Sequence, residues 1–235
     1  MNQQKPILSV LTGAGISAES GISTFRGAGG LWEGHRIEDV ASPEGWQKNR
    51  KLVLEFYNLR RKNVVSANPN QAHIDLALLE EFMEVRIITQ NVDDLHERAG
   101  SSKVMHLHGE IMKSRSSAFP NLVYDTNGND ICIGDLCEGG FQLRPHIVWF
   151  GEEVPLIQDA AEWIHESDVF AVIGTSLLVY PAAGLIHAAR PKVPKFIIDP
   201  EIPDISSIPD MHAIPEKAST GVALLRSRLT QLYFG

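Results

Sequence analysis

Apolar residues in this chain gather into short continuous runs, and each run stops on glycine or on small polar residues. The runs occupy 7–11 before Thr12-Gly13, 85–88 before Thr89-Gln90-Asn91, and 104–107 before His108-Gly109. They return at 147–150 before Gly151-Glu152, 169–173 before Gly174-Thr175-Ser176, and 195–198 before Asp199-Pro200-Glu201. Apolar runs without polar alternation are the pattern of parallel strands covered on both faces. Helical patterns fall at 43–67, 71–84, 93–99, 156–167, 182–189 and 221–233. The expectation is an α/β fold, a Rossmann-like parallel sheet with helices on both faces plus a small inserted lobe. Residues 1–27, 85–113 and 144–235 would form the large lobe of a single domain spanning 1–235. Residues 28–84 and 114–143 would form the small lobe. The proline-bearing segment 201–216 is predicted to be irregular.

Ligands of such a sheet bind at the carboxyl ends of its strands, and here that edge collects Gly, Ser, Thr, Asn, Gln and His. The first run opens into Gly13-x-Gly15-x-x-Ala18, the strand–turn–helix grammar of a dinucleotide site. Gly13 allows the tight turn, Gly15 lets the backbone approach a pyrophosphate, and the helix N-terminus offers N–H groups to the anion. Alone the motif is weak, because many glycine-rich turns join strands to helices and bind nothing. The chain also departs from the simple template. No second strand follows the first helix closely: residues 28–82 read mainly as loop and helix, and the next convincing strand starts near Val85.

Composition narrows the partners. Of 235 residues, 43% are hydrophobic and 21% charged, and 29 Asp and Glu against 21 Lys and Arg give a net charge of −8. No basic tract offers a nucleic-acid footprint. No apolar run reaches the roughly 18 residues that span a bilayer. The first strand follows Met1–Pro6 directly, which leaves no room for a signal peptide. With only Cys132 and Cys137, no disulfide framework is implied. A cytoplasmic protein is expected, with neither nucleic acid nor membrane as partner.

Several constellations could carry chemistry. Gln90-Asn91-Val92-Asp93 stands at a strand end, where helix capping explains one polar residue but not three together. His106-Leu107-His108-Gly109 puts two histidines on one face if the strand continues, and H-x-H could suggest a metal pair, but no third ligand has convincing spacing. Imidazole also exchanges protons near neutral pH, as a general base must. Tyr57-Asn58-Leu59-Arg60 places a phenol and a guanidinium at i, i+3, most often a mere surface pair. The apolar strand that ends in Trp149-Phe150-Gly151 can be core and binding wall at once.

Taken together, Gly13–Gly27, Gln90–Asp93, His106–Gly109, 145–152 and 174–184 resemble, in family order, the motifs of the sirtuins, the NAD-dependent protein lysine deacylases. The likeness covers residues 7–220. It implies NAD as cofactor, held by Gly13, Ala14, Gly15, Ser17, Ala18, Glu19, Phe25, Arg26 and Trp32 in the first loop. Gln90, Asn91 and Asp93 would bind the ribose and the nicotinamide carboxamide. Gly174, Thr175 and Ser176, with Asp199, Pro200, Glu201 and Ala218, would hold the phosphates, adenosine ribose and adenine. His108 would be the catalytic base, releasing nicotinamide, 2′-O-acyl-ADP-ribose and free lysine. Val148, Phe150 and Gly151 on one side and Val179 and Tyr180 on the other would clamp acylated lysine side chains of proteins. Tyr57 and Arg60 resemble the acyl-pocket pair of class III enzymes, which accept succinyl or malonyl groups as well as acetyl. The four zinc cysteines common in the family are missing. No metal is therefore expected, and the lobe is predicted to be held by apolar packing of Phe119, Leu122, Val123, Tyr124, Ile131 and Ile133. An ADP-ribosyltransferase or NAD hydrolase on the same site, and a non-catalytic NAD or acyl-lysine module, are the rival readings. A binding module would have no use for His108.

Overall fold

A computed structural model describes residues 5–24, 31–32, 34–206 and 208–234. In chain order the strands are β1 (Ile7–Thr12), β2 (Leu31–Trp32), β3 (His35–Arg36), β4 (Glu84–Thr89), β5 (Val104–His106) and β6 (Gly109–Ser116). They continue with β7 (Val123–Asp125), β8 (Leu143–Ile147), β9 (Val169–Ile173), β10 (Lys195–Ile198) and β11 (Met211–Ile214). The helices are α1 (Ala14–Ala18), α2 (Ile37–Val40), α3 (Pro43–Lys48), α4 (Arg50–Ser66), α5 (Gln71–Leu78), α6 (Leu95–Ala99), α7 (Ile157–Glu166) and α8 (Ala218–Phe234).

Six strands make one parallel sheet in the order β11-β10-β9-β1-β4-β5. The chain lays β4 and β5 on one side of β1, then returns to place β9 on the other. Strand order therefore reverses between β1 and β9, and the crevice beyond a reversal is where open α/β sheets bind ligands. Side chains alternate between faces along each strand. Leu8, Val10, Ile87, Ala171 and Ile198 pack under α5 and α8. Leu11, Ile88, Phe170, Val172 and Ile197 pack under α7 and the 3-10 turn Ala182–His187. A third core unites α2, α3 and α4 with Ile111 of β6 and Ile147 of β8. Those two strands belong to a separate antiparallel sheet, β7-β6-β8.

Several expectations need correction. The run 147–150 is not a strand of the parallel sheet: β8 ends at Ile147 and pairs antiparallel with β6. Residues 43–67 form two helices, because Asn49 closes α3 with its N–H and starts α4 by accepting from the Leu52 N–H at 3.1 Å. The pattern 71–84 ends early as a 3-10 turn at Leu79–Glu81. Its Ala72, Leu76 and Leu79 are buried in one core with residues of the large sheet. Within 201–216, Met211–Ile214 forms an edge strand, which needs a partner on one side only and tolerates flanking prolines.

Apolar packing does not hold the loop between β7 and β8. Ile131 is buried, but Phe119, Val123 and Ile133 are exposed and Leu122 and Tyr124 only half-buried. Hydrogen bonds do that work instead. The Gln142 amide nitrogen lies 2.9, 3.1 and 3.0 Å from the carbonyls of Cys132, Asp135 and Leu143, and its oxygen accepts from the Gly134 N–H at 2.8 Å. Asn58 of α4 makes a reciprocal pair with the Ile131 backbone at 2.9 and 3.0 Å.

The β1 and β9 turns meet backbone to backbone. Gly13 N–H donates to Ile173 O at 3.0 Å and Gly15 N–H to Gly174 O at 2.8 Å. Gly174 has φ of +64°, and a Cβ there would stand 2.4 Å from Ile16 N and 2.6 Å from Gly15 C. Strain and collision with fixed backbone should make Gly174→Ala cost at least about 2 kcal/mol. Urea denaturation checks this, and a loss below about 0.5 kcal/mol would mean the turns can part without consequence.

Candidate active site

The strand ends at the reversal open into a cleft of about 690 Å³, within the usual range for ligand pockets. Gly13, Ala14, Gly15, Ser17, Ala18 and Glu19 line it from the first turn and α1, and Trp32 lines it where it packs against Phe56 and Tyr57 of α4. Gln90, Asn91, Asp93 and His108 line its floor, and Gly174, Thr175 and Ser176 the facing turn. Asp199, Pro200, Glu201 and Ala218 close the far end. Val148, Phe150, Gly151, Val179 and Tyr180 also line the cleft, and Tyr57 and Arg60 reach it from α4. Every described residue that the resemblance assigned to cofactor, catalysis or substrate thus borders one space, whereas His106 does not. Phe25 and Arg26 lie outside the described residues.

The floor is tied to the first turn by polar side chains. Asn91 Nδ2 donates to Gly13 O at 3.1 Å and to Ser17 Oγ at 3.2 Å. Ser17 Oγ donates to Asp93 Oδ2 at 3.0 Å, and Asp93 Oδ1 accepts from the Leu95 N–H at 3.2 Å. Asp93 therefore does serve the start of α6, but Asn91 does not cap it. Burial raises the Asp93 pKa, opposed by the bonds from Leu95 and Ser17. Gln90 Nε2 donates to Thr175 Oγ1 at 3.1 Å, which joins the ends of β4 and β9. Glu19, just after α1, accepts from Ser219 N–H and Oγ at 3.0 and 2.7 Å and so caps α8.

His106 is the last residue of β5, and His108 lies in the turn beyond it. His108 Nδ1 lies 3.0 Å from Gln90 O, and a carbonyl can only accept. Nδ1 therefore carries the proton, and Nε2 keeps its lone pair. Burial lowers the His108 pKa, with the Gln90 bond opposing, so the ring is neutral at pH 7. His106 instead bonds Asn91 O at 3.2 Å and Glu97 Oε1 at 2.7 Å. Burial alone would lower its pKa, but Glu97, Glu110 and the Asn91 carbonyl raise it. The two rings are thus pushed in opposite directions, His108 toward the neutral form and His106 toward the protonated one. Among the described residues no group of three His, Cys, Asp or Glu could hold a metal ion.

Tyr57 is fully buried and Arg60 nearly so, which removes the reading of a surface pair. The Trp149 indole N–H donates to Tyr57 Oη at 3.1 Å. The Arg60 guanidinium carbon lies 4.3 Å from the centre of the Trp32 ring. The cleft also takes in Trp149, Glu152 and Lys217, which sequence reasoning missed. Trp149 and Glu152 stood inside a quoted motif, but nothing in spacing alone set them apart. For Lys217 there was no signal.

The fold and the site together define an α/β protein with a cleft at the reversal of its parallel sheet, bordered by a glycine turn and a half-buried histidine whose pKa is lowered. The Sir2 family profile matches residues 13–181, well over half of the chain. The chain is 51% identical to an NAD-dependent protein deacylase of Helicobacter pylori over 225 residues, 96% of each sequence. It is 49% identical to one of Bacteroides thetaiotaomicron over 227 residues, 94% of this chain and 97% of that one. A solved Sir2 homologue–NAD complex superimposes with a TM-score of 0.86 at 37% identity, covering 97% of this chain and 91% of the other. A mutant Sir2 homologue bound to ADP-ribose gives 0.87 at 38% identity, covering 97% and 93%. This chain belongs to the Sir2 family. Among the described residues no helix is long and apolar enough to cross a membrane.

The buried histidines set the response to acid. Burial lowers the pKa of His73 to about 4, and lowers those of His96, His108 and His146 as well. The unfolded chain then binds more protons than the native one below pH ~6.5, so stability is full above that value and is lost as pH falls toward 4. His106 has the opposite sign, its contribution being lost as pH rises through its raised pKa. From pH 7 to 5, His73 alone should remove roughly 2 kcal/mol. His73 sits at the third position of α5 and its Nδ1 accepts from the Asn70 N–H at 3.3 Å, a task glutamine can assume. Urea melts of the parent and His73→Gln at both pH values check this: the variant's drop should be smaller by that amount, and equal drops would refute it.

Proposed function

We infer that this chain is an NAD-dependent protein deacylase that removes acyl groups from lysine side chains. The observation that carries the reading is His108, which borders the same cleft as the glycine turn and the buried Tyr57–Arg60 pair. The donor set fits the dinucleotide. A buried carboxylate, Asp199, follows β10 where a ribose diol asks for an acceptor. Ser17, Thr175 and Ser176 offer hydroxyls beside the turn, while Asn91 and Asp93 supply the amide and carboxyl that a carboxamide pairs with. Bound NAD supplies an electrophilic ribose carbon with nicotinamide as its leaving group. His108 Nε2 takes the proton of a ribose hydroxyl, and its Nδ1–H stays fixed on Gln90 O. The 148–151 wall and the Val179–Tyr180 wall accept an extended peptide through backbone contacts, so one enzyme serves many sequences around one acyl-lysine. The excess of Asp and Glu suits lysine-bearing proteins and not nucleic acid.

The acyl pocket is selective for a distal carboxylate as well as open to acetyl. A succinyl carboxylate left unpaired in a buried pocket costs several kcal/mol. Arg60 meets it with a planar fork and Tyr57 with its phenol O–H. The loop between β7 and β8 works without metal, held by the Gln142 and Asn58 bonds.

His108→Ala should leave NAD binding largely intact and lower turnover of an acyl-lysine peptide by at least roughly 100-fold. In the parent, kcat/KM should fall in acid only below the ordinary imidazole value, because the His108 pKa is depressed. Mass spectrometry should find acyl-ADP-ribose; ADP-ribose alone, or ADP-ribosylated protein, would replace deacylation with transfer or hydrolysis of NAD. Arg60→Met should lower desuccinylation at least about tenfold, equivalent to roughly 1.4 kcal/mol, with acetyl-lysine turnover within a few-fold of the parent. Equal losses on both peptides would withdraw the carboxylate pocket.

A further inference from the structure

One carboxylate organises the wall that faces the nucleotide turn, and its role deepens the deacylase reading on which it rests. Residues 148–152 leave β8 and line the cleft. A segment without strand partners must satisfy its backbone groups some other way. Val148 N–H donates to His108 O at 2.9 Å and Phe150 N–H to Ala41 O at 3.0 Å. Between them, Trp149 N–H donates to Glu152 Oε2 at 2.8 Å.

Glu152 is itself gripped from behind. Arg144 forks onto it, with Nη1 to Oε1 at 2.7 Å and Nη2 to Oε2 at 3.0 Å, and Arg115 Nη2 adds a bond to Oε2 at 3.1 Å. The same two Nη2 groups donate to Ile147 O, at 2.9 Å from Arg144 and 3.0 Å from Arg115. The Arg144 guanidinium carbon lies 3.3 Å from the centre of the Trp149 ring. From that ring the indole N–H reaches Tyr57 Oη. A continuous chain of contacts therefore joins Arg115 and Arg144 to the phenol of the acyl pocket. Burial would raise the Glu152 pKa, but Arg144, the Trp149 N–H and Arg115 hold it below the usual carboxylate range. The carboxylate also separates two like charges, and without it the guanidiniums would share only Ile147 O.

We propose that Glu152, clamped by Arg144 and Arg115, is a positioning residue for the acyl-lysine substrate. It fixes the 148–151 wall and, through Trp149, the orientation of Tyr57, so peptide wall and acyl pocket keep one register. None of its bonds reaches Gly13, Asn91, Thr175 or Asp199, so the NAD end should not feel its loss.

Steady-state kinetics test this, with NAD and an acetyl-lysine peptide varied separately. Glu152→Gln keeps the shape and removes the charge. Its KM for peptide should rise at least about tenfold while its KM for NAD stays within about twofold. Arg144→Lys keeps charge but loses the fork and should reproduce the peptide-side shift. Arg115→Lys, which touches Glu152 through one bond, should shift it less. A merely structural role would lower the thermal midpoint and kcat and leave both KM values in place, which overturns the proposal. Equal rises in both KM values overturn it too. If Glu152→Gln does not fold, Arg144→Lys decides by the same criterion. A parent enzyme without turnover overturns the deacylase reading and this proposal with it. Turnover in the parent with an unchanged peptide KM in the variants overturns this proposal alone.

Discussion

Backbone against backbone at the reversal of the sheet is the contact on which the site depends. The β1 and β9 turns lie so close that a single added carbon on Gly13, Gly15 or Gly174 would meet main-chain atoms at 2.7 Å or less. Side-chain packing can yield by a rotamer, but main chain cannot. The closeness brings Ser17 and Thr175, carried by neighbouring strands, to opposite sides of one crevice. Gln90 and Asn91, on the strand beyond, can then bridge to both. The polar floor is a consequence of the glycine contact, because the same side chains on separated turns would face water.

At that floor, electrostatics pushes two residues of one type in opposite directions. His106 and His108 stand two positions apart, and their Nδ1 atoms bond consecutive carbonyls, Asn91 O and Gln90 O. What differs is the second nitrogen. His106 Nε2 finds Glu97, and the ion pair outweighs the desolvation that buries it. The His108 shift has only the Gln90 carbonyl to oppose burial, and the ring stays neutral. Neighbouring groups of one residue type are in this way pushed apart by their surroundings, one toward its charged form and one toward its neutral form.

Much of this was legible in the chain. The apolar runs ending in polar residues located five of the six sheet strands, since a strand buried on both faces leaves a local signal in every residue. The glycine turn, the Gln90–Asp93 group and His108 were readable because their chemistry lies in residue type and order. Other features depend on partners distant in sequence. The run 147–150 reads as a strand, yet Arg144, Arg115 and Glu152 bind its backbone in place of a sheet neighbour. The apolar residues at 119, 123 and 133 read as core, yet Gln142 satisfies the loop carbonyls and leaves them exposed. Met211–Ile214 was hidden by flanking prolines that an edge strand tolerates. Each of these misreadings came from a polar side chain or an edge position answering a backbone need that local pattern had assigned to apolar packing.

The two halves of the chemistry rest on different cores. The groups for the dinucleotide stand on strand ends of the large sheet, whose apolar faces are covered by α5, α7 and α8. Tyr57 and Arg60 stand on α4, and Tyr57 is packed with Trp149, Phe56 and Ile111 in the third core. His108 and Gly109 join the two, since Val148 N–H reaches His108 O and Gly109 pairs with Ile147 of β8. A change at Tyr57 therefore falls in the third core and not in the two that cover the large sheet. A change at Gly174 cannot be so contained, because it moves the strand ends from which both the cofactor groups and the base are hung. The third core is thus the part of this architecture that can change while the glycine contact between the β1 and β9 turns stays in place.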